Sequence, residues 1–366
     1  MSFHVRPEIS GLTPYSPGLS IDEIRERFGL ASVIKLASNE NPLGTPPLAQ
    51  EAVRRHAGDA FRYPQSGNPR LVRAIARHHH VDERRVVVGN GSDEIIDLLI
   101  RMLAQPGRNN IVCFDPCFSI YPIQSRICGV EVRRVPVEAD FSLNLGKLAA
   151  LADENTVLAF VTSPDNPSGY VTPAQELRAL AAALPAGALL AVDEAYMDFT
   201  EDEQAASLLA AGDDLPNVLF LRTFSKSFGL AGIRLGYGIL PAALADYYWR
   251  ARLPFSVNVL AEEAGLAALA DTDFRAETLR VVREGRAALT EGFRGLGCTV
   301  HPSGANFIML EPPAGKAAAD IFEGLLRRGI IIRPLKSYGL PHMLRVSIGT
   351  PEENAMLLRA CAELMA

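Results

Sequence analysis

The segment Arg222-Thr-Phe-Ser-Lys226-Ser-Phe-Gly-Leu-Ala-Gly-Ile-Arg234-Leu-Gly-Tyr-Gly238 carries the densest chemistry in the chain. Lys226 stands among the hydroxyls of Thr223, Ser225 and Ser227, with glycines at 229, 232, 236 and 238 and Arg234 close behind. Hydroxyls and a guanidinium bind phosphate, and glycines let the backbone approach a ligand closely. A loop lysine is ordinarily just solvated. An amine held beside a phosphate site is what a pyridoxal-phosphate Schiff base requires.

Three further motifs supply what such a cofactor needs. In Ala191-Val-Asp193-Glu194-Ala-Tyr196 an apolar run ends abruptly in acids. The bland reading is a strand-end turn, but a carboxylate there is costly without a cationic partner. The protonated pyridine nitrogen is such a partner, and an Asp against it keeps the ring an electron sink. Ser163-Pro-Asp165-Asn166-Pro-Ser-Gly169 is, on composition, a tight turn. Gly89-Asn-Gly91-Ser92-Asp93-Glu94 opens a helix, where free N–H groups and the helix dipole favour an anion. As a dinucleotide fingerprint it fails, because glycine is needed where Glu94 stands, and this disfavours a nicotinamide dehydrogenase. With Lys226 and Arg234 it makes a phosphate cradle.

These motifs need a scaffold that brings loop ends together. From about residue 86 to 240 short β-branched runs alternate with amphipathic segments, predicting an α/β unit with a mostly parallel sheet covered on both faces. Strand candidates are Val86–Val88, Ile111–Phe114, Val130–Val135, Val157–Val161, Leu189–Val192 and Val218–Leu221. A helix opening at Ser92 places Ile95, Ile96, Leu98, Leu99 and Met102 at helical spacing. Ligands of open α/β sheets sit beyond the carboxyl ends of strands, where the motifs fall. After Pro254 the pattern changes to amphipathic helices around Glu262–Leu296 and strands at 306–310, 330–333 and 344–348, predicting a separate α+β domain. The expected division is an arm over 1–44, which contributes to the small domain and dimer, a large cofactor-binding domain over 45–254 and a small domain over 255–366. The arm, with turn clusters at Thr13–Gly18 and Asn39–Pro47, reads as no core element.

Bulk properties narrow the classes. The 366 residues, 48% apolar and 21% charged, suit two globular domains, and the net charge of −6 lies in no long block. With no basic face and no helix-turn-helix segment, nucleic acid is not an expected partner, nor is a regulatory role. The longest uncharged run, Ala179–Val192, is broken by Pro185 and Gly187 and too short for a bilayer, and no secretory signal opens the chain. The expectation is a cytoplasmic enzyme with no membrane partner. Five scattered cysteines read as buried thiols. His78-His79-His80 reads as a solvated helix end, because consecutive helical side chains point about 100° apart and cannot converge on a metal; no metal site is expected.

Ser-Lys-x-x-Gly-x-x-Gly-x-Arg, residues 225–234, resembles the cofactor-attachment signature of the class I and II aminotransferases. The resemblance covers almost the whole chain. It is closest to histidinol-phosphate aminotransferases, through Leu36-Ala-Ser-Asn39-Glu40-Asn41-Pro42, Tyr63-Pro64, Ile332-Arg333-Pro334 and Leu344-Arg345-Val-Ser-Ile-Gly. It implies pyridoxal-phosphate transferase fold type I, with a seven-stranded, mostly parallel sheet between helices and a smaller α+β C-terminal domain. It further implies Lys226 as cofactor-bearing base, Asp193 against the pyridine nitrogen, and Tyr196 and Asn166 beside the ring's phenolic oxygen. Phe118 would stack on the ring, while Gly91, Ser92, Asp93, Thr223, Ser225 and Arg234 would hold the phosphate. Tyr63 would reach the phosphate across a homodimer with shared active sites. Tyr15, Asn39, Glu40, Asn166, Arg333 and Arg345 would bind substrate, two arginines suiting a phosphate dianion or a carboxylate. The implied reaction moves an amino group between L-histidinol phosphate and 2-oxoglutarate, giving imidazole acetol phosphate and glutamate in histidine biosynthesis. An aromatic aminotransferase or a threonine-phosphate decarboxylase would share every cofactor motif. Gln65 and Asp165 stand where relatives vary.

Overall fold

The computed structural model describes residues 3–12, 18–212 and 214–366. A two-residue strand β1 (Ile34–Lys35) precedes the elements of the large sheet. These are β2 (Val86–Gly89), β3 (Asn110–Asp115), β4 (Glu131–Pro136), β5 (Thr156–Thr162), β6 (Leu189–Asp193), β7 (Val218–Thr223) and β8 (Gly236–Ile239). Their order is β2-β8-β7-β6-β5-β3-β4. β7, β6, β5, β3 and β4 pair in parallel, and β8 runs antiparallel to both its neighbours.

Alternation along these strands explains why helices cover both faces. Val88, Val112, Val161, Val192 and Phe220 point to one face, where they pack with the helices Pro69–His79, Ala174–Ala183 and Val259–Ala270. Val87, Ile111, Phe160, Ala191 and Leu221 point to the other, under the helix Ser92–Leu103. With both faces apolar, each strand reads as a nearly continuous hydrophobic run. The six expected strands are all present.

β8 is the strand the sequence pattern hid. Gly236 and Gly238 are poor strand formers, so the segment read only as a glycine-rich phosphate loop. Gly236 is required by close approach: a Cβ on it would lie 2.3 Å from the Ser92 nitrogen and 2.6 Å from the Gly91 carbonyl carbon. Since these are backbone atoms, Gly236→Ala must push the start of the helix at Ser92. We expect a loss of about 1–3 kcal/mol in denaturant unfolding, with weakened cofactor binding; wild-type values for both would refute the packing argument.

A second sheet, ordered β12-β13-β10-β9, comprises β9 (Thr299–Val300), β10 (Phe307–Glu311), β12 (Arg333–Pro334) and β13 (Leu344–Ser347), all antiparallel. The helices Thr272–Gly295, Ala318–Arg327 and Pro351–Met365 cover it through Val282, Leu289, Phe293, Ile321, Leu325 and Leu357. A capping box between Thr350 and Glu353 starts the last helix.

Three expectations need correcting. The arm does contribute core: helix Ile21–Phe28, capped by Ser20, buries Ile24, and β1 pairs in parallel with β11 (Ile330–Ile331). Flanking turn clusters obscured its short periodicity. The helix Val259–Ala270 follows the change of character at Pro254, yet it buries Ala261, Ala264 and Ala268 in the core of the large sheet. Packing therefore changes partners at the helix that follows it. Finally, the histidine run is only partly a solvated helix end: His80 is exposed, but His79 turns inward to the Tyr237 hydroxyl at 2.8 Å, and burial lowers its pKa to about 2. Four of the cysteines are buried as expected, and Cys128 is half-exposed.

Candidate active site

The four cofactor motifs meet at one edge of the large sheet. β2 leads to Gly91, β3 to Phe118, β5 to Asn166, β6 to Asp193 and Tyr196, and β7 to Lys226, while antiparallel β8 begins there just after Arg234. Gly91, Ser92, Asp93, Phe118, Asn166, Asp193, Tyr196, Thr223, Ser225, Lys226 and Arg234 line one cleft, with Thr162, Ala195 and Ala231.

At one end the helix Ser92–Leu103 presents its N-terminus. Its N-cap is Gly91 at φ 81, with no side chain capping the first N–H groups. Arg234 bonds Asp93 at 3.1 Å, and its guanidinium lies so near Gly91 that a Cβ there would meet Nη2 at 2.5 Å. Free helix N–H groups, an arginine and the hydroxyls of Ser92, Thr223 and Ser225 form a cradle for a phosphate.

At the floor lies Asp193, 3% exposed. It accepts from the Tyr121 hydroxyl at 2.6 Å and the Ala195 N–H at 3.1 Å. Burial pushes its carboxyl up to about 6, the Tyr121 bond opposing this. A buried carboxylate facing a cleft, without a cation among its bonds, fits a ligand that brings a protonated nitrogen. Phe118 lies edge-on to Tyr121 at 5.6 Å while lining the cleft.

Lys226 is half-buried between these ends, its ammonium donating to the Ser38 carbonyl at 3.2 Å and lying 5.6 Å from the Tyr196 ring centre. Burial, then the positive charge of Arg345, lowers its pKa to about 8. Part of this amine is therefore an unprotonated base near neutral pH. Its own backbone is pinned by Asn41, whose amide donates to the Lys226 and Ser227 carbonyls at 3.2 and 3.0 Å.

The residues expected to hold substrate divide. Arg345 is buried, donating to Asn166 Oδ1 and to the Ala37 carbonyl at 3.0 Å. Asn39 donates to the Tyr196 hydroxyl at 3.1 Å. Glu40 instead pairs with Lys35 at 3.1 Å and does not line the cleft. Arg333 lies directly across from Arg345 in the β12–β13 pair, but lines a neighbouring groove with Arg126, Arg134 and Tyr338. Tyr63 is 82% exposed and stacks on Phe255 at 4.7 Å, away from this chain's own cleft. Tyr15 lies outside the described residues. Sequence reasoning missed Tyr121, Thr162 and Asn41. Asn41 sat in a quoted motif, whereas Tyr121 and Thr162 had no signal separating them from core.

Residues 31–361 match the family model of aminotransferase class I and II. A histidinol-phosphate aminotransferase of Nitratidesulfovibrio vulgaris is 63% identical over 99% of this chain and 96% of its own length. That of Oleidesulfovibrio alaskensis is 59% identical over 99% and 95%. Among solved structures, histidinol-phosphate aminotransferase from Sinorhizobium meliloti in complex with pyridoxal-5'-phosphate is similar, with a TM-score of 0.88 and 28% identity, covering 100% of this chain and 98% of that one. Cleft and comparisons agree, and the chain belongs to the aminotransferase class I and II family.

Proposed function

We propose that this chain is a pyridoxal-phosphate-dependent aminotransferase that moves the amino group between L-histidinol phosphate and 2-oxoglutarate, giving imidazole acetol phosphate and glutamate in histidine biosynthesis. The observation that carries it is one cleft holding a half-buried lysine, a buried aspartate and a helix-start anion cradle. Relatives that bear the histidinol-phosphate name at 63% identity support the substrate over an aromatic amino acid or threonine phosphate.

When bound, pyridoxal phosphate supplies a carbonyl that captures amines and a protonated ring that accepts the electrons left at the substrate carbon. The chain's residues hold and steer it. Ser92, Thr223, Ser225, Arg234 and the backbone N–H of Asp93 would hold the phosphate around Gly91, and Phe118 would cover a ring face. Asp193 keeps the proton on the pyridine nitrogen, since an ionised buried carboxylate favours a cation against it. Arg345 occupies Asn166 Oδ1, so the Asn166 amide N–H groups are left to face the cleft. Tyr196 supplies a second donor beside them. Lys226 Nζ, beside the reacting centre, would be the base that takes the proton from the substrate's amine-bearing carbon.

The chain divides, on this reading, into an arm (1–44), a cofactor-holding part that begins at 45 and a small C-terminal part, with 255–270 packed against the cofactor-holding part. Two copies share their sites in a cytoplasmic homodimer, each lending Tyr63 to the other, which accounts for the exposed Phe61, Tyr63, Leu253 and Phe255. Among the described residues no helix is long and apolar enough to cross a membrane. Mixing inactive Lys226→Ala with Tyr63→Phe should restore activity through hybrid sites that have both native residues; no complementation would argue against shared sites.

The substrate is tested by mixing holoenzyme with histidinol phosphate and no keto acid, following the cofactor's visible band. Rapid conversion to the amino form, unmatched by phenylalanine or threonine phosphate, is expected. Conversion only by a rival amine would overturn the substrate and leave the cofactor reading standing.

A further inference from the structure

Asn39 was expected at the substrate, yet its polar atoms are tied up within the protein. It is 1% exposed and sits at φ 54, a left-handed conformation that asparagine tolerates. Its N–H donates to the Ser347 hydroxyl at 2.8 Å, and the Asn306 amide donates to its carbonyl at 3.0 Å. The Ser347 hydroxyl in turn donates to Asn39 Oδ1 at 2.9 Å. What remains is Nδ2, which donates to the Tyr196 hydroxyl at 3.1 Å.

These bonds fix a direction. Ser347 already accepts from the Asn39 backbone, so its single hydrogen goes to Oδ1; a flipped Asn39 amide would strand that hydrogen in a buried site. With Oδ1 held by Ser347, the amide can present only N–H groups to Tyr196. A phenol that accepts from one neighbour is left with its own hydrogen to donate elsewhere. Tyr196 lines the cleft beside Lys226 and Asn166.

We propose that Asn39, locked by Ser347 and Asn306, is a positioning residue that sets the polarity of the Tyr196 hydroxyl, directing its hydrogen into the cleft onto the cofactor's ring oxygen. It rests on the reading of Tyr196 as the partner of that oxygen, given above. It also joins the arm, β13 and the loop before β10 to the cofactor, so a correctly seated arm becomes a condition for a correctly polarised ring. The charged groups around the hydroxyl are Lys226, Arg345, Asp193 and Asp165. All of them stay in place in the variants below.

A hydrogen bond to the charged form of a group favours that form. Tyr196 donation therefore favours the ionised ring oxygen, and losing it raises the pH midpoint at which the holoenzyme's visible band titrates. Tyr196→Phe should raise the midpoint by roughly one unit or more. Asn39→Asp replaces the donor by an acceptor and turns the Tyr196 hydrogen away, with a similar rise. Ser347→Ala adds no charge but releases the Asn39 amide to flip, and should raise the midpoint by a smaller amount. In a Tyr196→Phe background, Ser347→Ala should add nothing further. For Asn39→Asp and Ser347→Ala kcat should fall while the amino donor's KM stays within about twofold, the split expected of an interaction not made with substrate. Midpoints unchanged in Asn39→Asp and Ser347→Ala, with Tyr196→Phe shifted, would overturn the proposal alone. An unshifted Tyr196→Phe would overturn it together with the reading of Tyr196. A raised KM without a midpoint shift would return Asn39 to the substrate pocket. Circular dichroism and cofactor titration of each variant separate these outcomes from misfolding.

Discussion

Lys226→Ala loses transamination by about 10⁴-fold or more, because it removes both the cofactor's covalent anchor and the amine that, among the described residues, the cleft offers as base. Ordinary loss of a surface lysine would change little, so the size of the effect is itself diagnostic. Lys226 is prepared for proton transfer by its surroundings: burial and Arg345 lower its pKa to about 8, and the Ser38 carbonyl orients the amine. Because the lowered pKa belongs to a cation, the base form grows as pH rises through 8, and single-turnover rates should climb over that range. Two measurements check the assignment without relying on steady-state activity. Borohydride treatment followed by peptide mass spectrometry should leave cofactor mass on the Lys226 peptide of the wild type and none in the variant. Small primary amines added to the variant should restore a fraction of the rate. A variant within tenfold of wild type would overturn the role.

The cleft was legible in the sequence because its chemistry lies in local motifs at strand ends. Lys226, Asp193, Asn166 and the Gly91–Asp93 turn each follow an apolar run, and a parallel sheet carries such ends to one edge. Sequence alone could not show contacts made between those ends. Tyr121 becomes part of the site only because β3 and β6 bring it within 2.6 Å of Asp193. Asn39 and Glu40 are neighbours in one motif, yet the backbone turn at Asn39 buries the first and leaves the second on Lys35. Arg333 and Arg345 looked equivalent, both arginines near strand ends. Arg345 reaches an atom of the cleft, Asn166 Oδ1, whereas Arg333 lines the neighbouring groove. The strand β8 was hidden by its glycines, of which tight packing demands Gly236.

The largest expected stability effect, which no motif signalled, centres on Arg222. This arginine is buried at the end of β7, with its guanidinium bonded to Glu194 at 2.7 Å, Glu203 at 2.8 Å and Asp198 at 3.4 Å. Arg275 reaches the same Asp198 from the helix Thr272–Gly295 at 2.8 Å, and the Ser227 hydroxyl, next to Lys226, donates to the other Asp198 oxygen. Burial alone would raise the carboxyl of Asp198, but Arg275, Arg222 and Ser227 together hold it well below the usual carboxylate range. Burial pushes the carboxyl of Glu194 up, and Arg222 offsets this only in part. Arg222 itself is held more firmly protonated, since the carboxylates around it outweigh its own desolvation. Arg222→Met keeps much of the side-chain volume and strands Glu194 in the core, which should cost about 3–5 kcal/mol. The loop bearing Lys226 loses its support at the same time, so cofactor affinity should fall with stability. The sign of the pH dependence follows from Asp198. A depressed carboxyl contributes stability above its unfolded pKa of about 4 and loses it as pH falls through the folded value. Wild-type stability from this network therefore vanishes in acid, and the gap between wild type and Arg222→Met should be widest near neutral pH and narrow below about pH 4. Urea unfolding at pH 7 and again at about pH 3, below the unfolded carboxylate pKa, measures both gaps, and a cost that stays constant between them would mean that lost packing, rather than the Asp198 charge, is what the substitution removes.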